Sequence, residues 1–325
     1  MKAIIIIAGI ILVISSVVFA QDQKIVNKVL DQIEETGSAT EATQTNNLQE
    51  ITGISQEMIE YYNRSNQPDE VSAPRQGMGI VPEANYSFEI GPEVSIFHYE
   101  EPPISVKWDG ILSGFYAGIT GRSPRNLVGR IESQYLYGRV DYDGSLNTGE
   151  AWTDEGPDYI FELRGLIGRD FKINTSTFTP IIGIGYRYWN DNLESQYAYE
   201  REVNYVYIPL GFEINSPFNR KMNWGIKAEY DVFAMGTVKS HLSDVNSSFG
   251  DLKNDQNDGF GVRASVYLKS NLSQKFSFSV EPFIRYWDIE QSSNSDLTYA
   301  GSIVGYGYEP ANETTEYGVR ASLMW

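Results

Sequence analysis

From Tyr86 to the last residue, Trp325, apolar and polar side chains alternate with a period of two. One such segment has Phe260, Val262, Ala264, Val266 and Leu268 on one face and Arg263, Ser265 and Lys269 on the other. Successive side chains of a β-strand point to opposite faces of its sheet, so each segment predicts a strand with one apolar face. A soluble β-sandwich shows the same alternation, and the period alone does not distinguish the two folds.

The spacing of the strands distinguishes them. We predict ten strands, near residues 86–100, 110–121, 126–142, 158–170, 177–190, 202–214, 223–239, 259–270, 275–290 and 315–325. The connections alternate between short turns and long, mostly polar loops, the latter at 101–109, 143–157, 191–201, 240–258 and 291–314. This pattern is typical of outer-membrane barrels, in which the sheet closes because lipid cannot pair with a free strand edge. The predicted fold class is therefore all-β, a transmembrane antiparallel up-and-down barrel of about ten strands.

The sequence before the barrel predicts export. Residues 1–20 resemble a signal peptide, with Lys2 at the positive end, an apolar stretch, and Val18-Phe19-Ala20 as the cleavage site. Residues 21–85 predict a periplasmic tether, partly helical or disordered, with a lumen plug or a self-association helix as alternatives. Residues 86–325 form the barrel domain. The expected location is the bacterial outer membrane, with the tether in the periplasm.

Composition excludes several classes of function. The net charge of −18 argues against a nucleic-acid partner, since phosphates require a basic surface. The chain has no Cys and only 2 His, so it has few of the side chains that commonly bind metal ions. We expect neither a metal nor a cofactor. Aromatic residues near strand ends suggest interfacial girdles facing lipid; we assign to them Trp152, Tyr188, Trp189, Tyr286 and Trp287.

Charged residues also occur at positions that alternate with the apolar face and should point into the lumen. They are Arg130, Glu132, Glu162, Arg164, Arg187, Lys227, Glu229, Asp231, Arg263, Glu281, Arg285 and Arg320. Bases and acids are close to balance. Small barrels are filled by their side chains, whereas aqueous porins have many more strands. We therefore predict a lumen closed by salt bridges.

Three short motifs occur in an order that resembles the omptins, outer-membrane aspartyl proteases built on ten-stranded barrels. Val140-Asp141-Tyr142-Asp143 closes the third strand, Trp152-Thr153-Asp154 follows in the next loop, and His241 begins the loop after the seventh strand. The resemblance implies that Asp141 and Asp143 hold a water molecule and that His241 belongs to the opposing Asp–His pair. It also implies dependence on lipopolysaccharide.

The match to the omptin pattern is incomplete. Lys239 occupies the position of the family's Asp, two residues before His241, and a lysine cannot stabilise an imidazolium as a carboxylate does. Asp244 is a candidate substitute. Counting by two from Glu132 places Asp141 and Asp143 on the outer face, unless a β-bulge near Gly138 reverses the alternation.

Three hypotheses follow from the sequence. The first is a non-enzymatic, closed, omptin-like barrel whose long acidic loops bind partners or maintain the envelope. The second is an omptin-like endopeptidase that uses Asp141, Asp143 and His241, and the third is a narrow channel. Expected partners are outer-membrane lipids, lipopolysaccharide, a surface protein or peptide, and the barrel-insertion machinery, which would recognise the final strand ending in Trp325.

Overall fold

The computed structural model describes residues 85–145 and 150–325. The predicted signal peptide and almost all of the predicted tether lie outside these residues. Ten long strands form the barrel: β1 (Asn85–Glu101), β2 (Val106–Arg122), β3 (Leu127–Ser145), β4 (Ala151–Arg169), β6 (Ser176–Asp191), β7 (Arg201–Pro217), β8 (Met222–Ser240), β10 (Gly259–Asn271), β11 (Ser277–Ile289) and β14 (Asn312–Met324). Shorter elements lie in the connections: β5 (Phe171–Ile173), a 3₁₀ turn (Leu242–Asp244), β9 (Leu252–Gln256), β12 (Ser295–Tyr299) and β13 (Ser302–Gly307).

The ten long strands close into an antiparallel ring. Each pairs with its neighbour in chain order, β8 pairs with β10, and β14 returns to pair with β1. The contact between β1 and β14, where the ring closes, extends past the end of β14. Phe88 and Trp325 exchange backbone hydrogen bonds of 2.9 and 3.0 Å. Their rings also stack at 5.8 Å. The predicted fold class, a closed ten-stranded all-β barrel, is confirmed.

The hairpin β3–β4 is longer than predicted. Its pairing continues without a break from Leu127–Arg169 to Ser145–Ala151. Trp152, Thr153 and Asp154 therefore belong to β4, and their assignment to a loop was wrong. Where a strand leaves the apolar zone, its side chains no longer alternate between apolar and polar. Backbone pairing with the neighbouring strands continues there, because it does not need an apolar face. For this reason the sequence pattern underestimates strand length at this end of the barrel.

The two faces of the wall differ sharply. Outward positions carry a band of exposed apolar side chains, among them Ile90, Ile111, Phe115, Ile182 and Leu268. Inward positions carry charged and aromatic side chains.

Three girdle assignments were wrong, because Trp189 and Trp287 are buried inside the barrel and Trp152 packs against the buried Tyr142. Trp189 and Trp287 share the parity of Arg187 and Arg285 on the same strands, which is the inward parity. No helix in the described part of the chain is long and apolar enough to cross a membrane.

We expect Phe115→Lys to destabilise the barrel in lipid by about 2–4 kcal/mol, because Phe115 is central in the outward apolar run of β2 and a cation there would face hydrocarbon. Val245→Lys, at an exposed position of the connection after β8, should change stability little. Urea titration of both variants in lipid vesicles measures the difference. Equal stabilities would contradict the placement of the apolar band in a membrane.

Candidate functional site

The lumen is crossed by ion pairs between strands that are not neighbours. Arg187 on β6 and Glu316 on β14 lie on opposite sides of the ten-strand ring, with 2.7 Å between Nη2 and Oε1. Arg130 on β3 reaches Glu213 on β7 at 2.6 Å. All twelve charged residues predicted for the lumen take part in this network. Its pairs are Arg130 with Glu132 and Glu213, Arg164 with Glu132 and Glu229, Arg187 with Glu316, Lys227 with Glu281, Arg263 with Glu162 and Asp231, Arg285 with Glu93 and Glu316, and Arg320 with Glu93.

Little free space remains between these charges. Two cavities of about 40 and 20 Å³ lie among them, and Arg164, Arg263 and Arg320 contribute to the walls of both. Cavities of this size can hold individual water molecules. The paired side chains around them occupy this part of the lumen.

Three acids of the network were missed by the sequence analysis. They are Glu93, Glu213 and Glu316, each bound to an arginine of the predicted set. Parity could have found two of them, because Glu93 alternates with the outward Val94 and Ile96 on β1, and Glu316 shares the parity of Arg320 on β14. On β7 both faces are mostly apolar from Val203 to Leu210, so the sequence does not show which face points into the lumen. Glu213 could therefore not be assigned to the lumen.

A second cluster lies around Arg201 at the start of β7. It is at the end of the lumen where the long connections lie, which we call the loop end. Its guanidinium donates to Glu101 at 3.2 Å, to the Tyr99 hydroxyl at 3.0 Å and to Glu309 at 2.6 Å. Asp191 lies 3.8 Å away. We call these five residues the Arg201 cluster. The guanidinium carbon also lies over the rings of Tyr99, Trp108 and Trp189, at 4.9–5.5 Å.

Carboxylates outnumber cations in the Arg201 cluster. Arg201 is its one cation, against Glu101, Asp191 and Glu309, all of them buried. Glu309 belongs to the connection between β11 and β14, where burial raises the pKa of its carboxyl to about 7 despite the opposing effect of Arg201. Near neutral pH a proton on Glu309 therefore offsets part of the excess negative charge. The cluster joins the long connection before β14 to the barrel rim.

The structure places the carboxylates of Asp141 and Asp143 on the outer face of β3. Both side chains are exposed, whereas Val140 and Tyr142, which alternate with them along β3, are buried. The pairings of β3 with β2 and β4 are regular throughout, with no bulge near Gly138. Asp141 is aligned with Asp109 and Glu155, and Asp143 with Lys107 and Thr153. These neighbours form a polar outer rim on β2, β3 and β4.

His241 lies elsewhere on the rim. Its ring is 3.4 Å from Asp251, 3.4 Å from Glu202 and 3.4 Å from the amine of Lys239. Asp251 thus provides a neighbouring carboxylate, while Asp244 accepts a hydrogen bond from the backbone of Glu200. The structure does not bring His241 together with Asp141 and Asp143, because Asp141 and Asp143 project from the outer face of β3 and His241 follows β8, away from the lumen across which the two sides of the ring could meet.

A β-bulge on β8 sets the direction of His241. Val206 of β7 is aligned with Met235 but Tyr207 with Phe233, so Ala234 is an extra residue on β8. The alternation is inward at Asp231 and Phe233 and inward again at Gly236, Val238 and Ser240. Without the bulge, position 241 would have inward parity. With it, Lys239 and His241 project outward with Glu202.

Among the described residues, no group of three or more His, Cys, Asp or Glu side chains has an arrangement that could hold a metal ion. No protein-family model and no curated protein matches the sequence.

Solved structures match the fold. The outer-membrane protease OmpT of Escherichia coli aligns with a TM-score of 0.54 and 11% identity, over 75% of this chain and 97% of OmpT. This barrel has an omptin-like fold. A major outer-membrane protein of Thermus thermophilus aligns over 74% of this chain and 99% of its own length at 10% identity and a TM-score of 0.35. OprG of Pseudomonas aeruginosa aligns over 74% and 95% at 8% identity and a TM-score of 0.34. At such identities the likeness to OmpT concerns the fold alone.

We expect Arg263→Met to destabilise the barrel by about 3–5 kcal/mol, because it leaves the buried carboxylates of Glu162 and Asp231 without their shared cation. Arg139→Met removes an arginine that also binds two acids, Glu155 and Glu194, but on the solvent-exposed surface. That control should change stability little. Denaturant titration of both variants measures the contrast, and equal losses would contradict a structural role for the buried network.

We expect the connection around Glu309 to become less stable as pH rises from about 4.5 to about 7. In that window an unfolded glutamate has lost its proton while the buried Glu309 keeps it, so unfolding releases a proton and becomes more favourable with rising pH. Glu309→Gln imitates the protonated form and should remove this part of the pH dependence. Hydrogen exchange of residues 290–311 at several pH values measures it. An identical pH profile in the variant would refute the assignment.

Proposed function

We propose that this protein is an integral outer-membrane barrel that does not cleave peptides and acts through its acidic loop end as a binding surface. The observation that supports this proposal is the outward direction of Asp141, Asp143 and His241, away from the lumen across which residues of β3 and β8 could meet. A water molecule becomes nucleophilic only when a base within hydrogen-bond reach takes its proton. Two carboxylates and a histidine on separate parts of an outer surface do not share one water molecule.

The lumen supports the same proposal. Cross-lumen pairs such as Arg187–Glu316 and Arg130–Glu213 occupy the space through which a solute would pass. Opening a path would break buried pairs, and leaving one buried charge unpaired costs several kcal/mol. A closed barrel is therefore favoured over a narrow channel.

The membrane assignment rests on the wall. Its outward apolar band suits a hydrocarbon environment, and β14 follows the same alternation. We infer that the short turns face the periplasm and the long loops face outward. We propose that outer-membrane lipids, including lipopolysaccharide, contact the outer face of the wall and that the barrel-insertion machinery recognises β14.

The long connections carry the negative charge that a binding surface needs. Outside the buried Arg201 cluster, the acids of residues 190–202, 241–258 and 290–313 are Glu194, Glu200, Glu202, Asp244, Asp251, Asp255, Asp258, Glu290, Asp296 and Glu313. The basic residues of these ranges are Arg201, enclosed in the lumen, and Lys253. Such a surface attracts basic partners and repels acidic ones.

We expect the refolded protein, with lipopolysaccharide present, to cleave no member of a diverse peptide library. OmpT refolded in the same way is the positive control, and unheated gel mobility verifies that each barrel is folded. His241→Gln and Asp141→Asn should behave like the parent protein. Cleavage by the parent that disappears in both variants would overturn the proposal and establish the endopeptidase hypothesis.

The closed lumen is tested separately in planar bilayers. The parent protein should insert without measurable single-channel conductance. Steady conductance from the parent would support the channel hypothesis instead.

A further inference from the structure

The connection between β11 and β14 contains an uncharged hairpin within the acidic loop end. Residues 297–308 include no charged residue. On β13 and just after it, Val304, Tyr306 and Tyr308 alternate along the chain and are 57%, 71% and 51% exposed. Ile303, on the opposite face of β13, is 60% exposed. Large apolar side chains that remain exposed on both faces of a strand indicate a contact surface.

The hairpin is held firmly in place. Tyr299 pairs with Ser302, so Ala300 and Gly301 form a two-residue turn, with φ of 48° and 79°. Positive φ at both central residues is the type I′ geometry that suits a twisted two-stranded ribbon. Hydrogen bonds of 2.7 Å from Ala300 N to Ser248 O and of 3.0 Å from Gly250 N to Thr298 O fasten the ribbon to the preceding connection.

This attachment covers one edge of the hairpin and leaves the other open. Residues 248–250 lie along β12, with Phe249 bridged to Tyr299. In the described part of the chain, the strand that pairs with β13 is β12 alone. Gly305 adds open space on its face, since a Cβ there would meet no atom within 4 Å. Proteins usually protect such an edge with lysine or proline, and β13 contains neither.

The charges around the hairpin select the kind of partner. Asp244, Asp251, Asp255, Asp258, Glu290 and Asp296 are exposed on the two connections packed together here, with Lys253 as the exposed base. A second copy of the chain would bring an equally acidic surface against this one, which like-charge repulsion disfavours. A basic segment would be attracted.

We infer that the open edge of β13 binds an extended, basic segment of another protein by strand addition. Backbone hydrogen bonds to β13 would supply affinity, and alternate apolar side chains would pack against Val304 and Tyr306. Basic side chains on the other face would meet the acidic surroundings. The inference rests on the proposed function, because it names the class of partner that the loop end accepts.

The test uses the full-length refolded protein and a synthetic peptide of alternating valine and lysine, about eight residues long. Two control peptides separate the contributions: alternating valine and glutamate reverses the charge, and alternating proline and lysine keeps the charge but cannot form a strand. We expect only the valine–lysine peptide to bind, as measured by fluorescence anisotropy. Equal binding of the proline–lysine peptide would show attraction by charge alone and overturn the inference.

Tyr306→Lys places a charge on the open edge and should weaken peptide binding about tenfold or more. The matched control is Tyr197→Lys, an equivalent change at a tyrosine that is 58% exposed in the connection between β6 and β7. Both variants gain the same charge, so a change in net charge alone does not distinguish them. Similar affinities in the two variants would overturn the inference.

Two further outcomes would also overturn it: binding of none of the peptides, and concentration-dependent self-association of the parent that Tyr306→Lys abolishes. Neither bears on the proposed function as tested, since peptide cleavage and bilayer conductance are measured independently of the hairpin.

Discussion

Pairing of the charges enclosed by the barrel is the constraint on which the rest of the structure depends. A carboxylate or guanidinium left alone in that space costs several kcal/mol, so each charge requires its partner at a defined place. Arg187 and Glu316 can meet only if the ring is closed and its diameter is fixed. The network therefore couples distant strands and fills the lumen with the same contacts. The contacts that hold opposite strands of the closed ring together are also the contacts that close its lumen.

The same parity that builds the network decides what chemistry the rim can offer. A strand that continues past the apolar zone still directs every second side chain outward, as β3 does with Asp141 and Asp143. On β8 a single extra residue, Ala234, reverses the phase and directs His241 outward as well. A one-residue change in register thus separates an interior histidine from an exterior one. Local sequence motifs carry no information about that phase.

This explains which features were predictable from the sequence. The ten strands and most of the lumen charges followed from the period of two, since apolar and polar faces differ clearly on β3, β4, β8 and β10. On β7 both faces are mostly apolar, so Arg201 and Glu213 were not recognisable as interior residues. Trp152, Trp189 and Trp287 were also assigned to the wrong face, because an aromatic ring near a strand end suits both a lipid interface and a packed interior. The Arg201 cluster depends on Glu309, which lies outside any strand, between β13 and β14, where a period of two predicts nothing.

The distribution of charge gives the two ends of the wall different consequences. Inside, acids and bases nearly balance, and the charges satisfy each other without a partner molecule. At the loop end acids outnumber bases, and their net negative charge acts on molecules outside the barrel. An apolar strand edge such as β13 would ordinarily promote pairing between copies of the chain. Here the acidic surroundings repel a second copy and attract a basic chain, so the charge that surrounds the hairpin sets the specificity that its own uncharged sequence lacks.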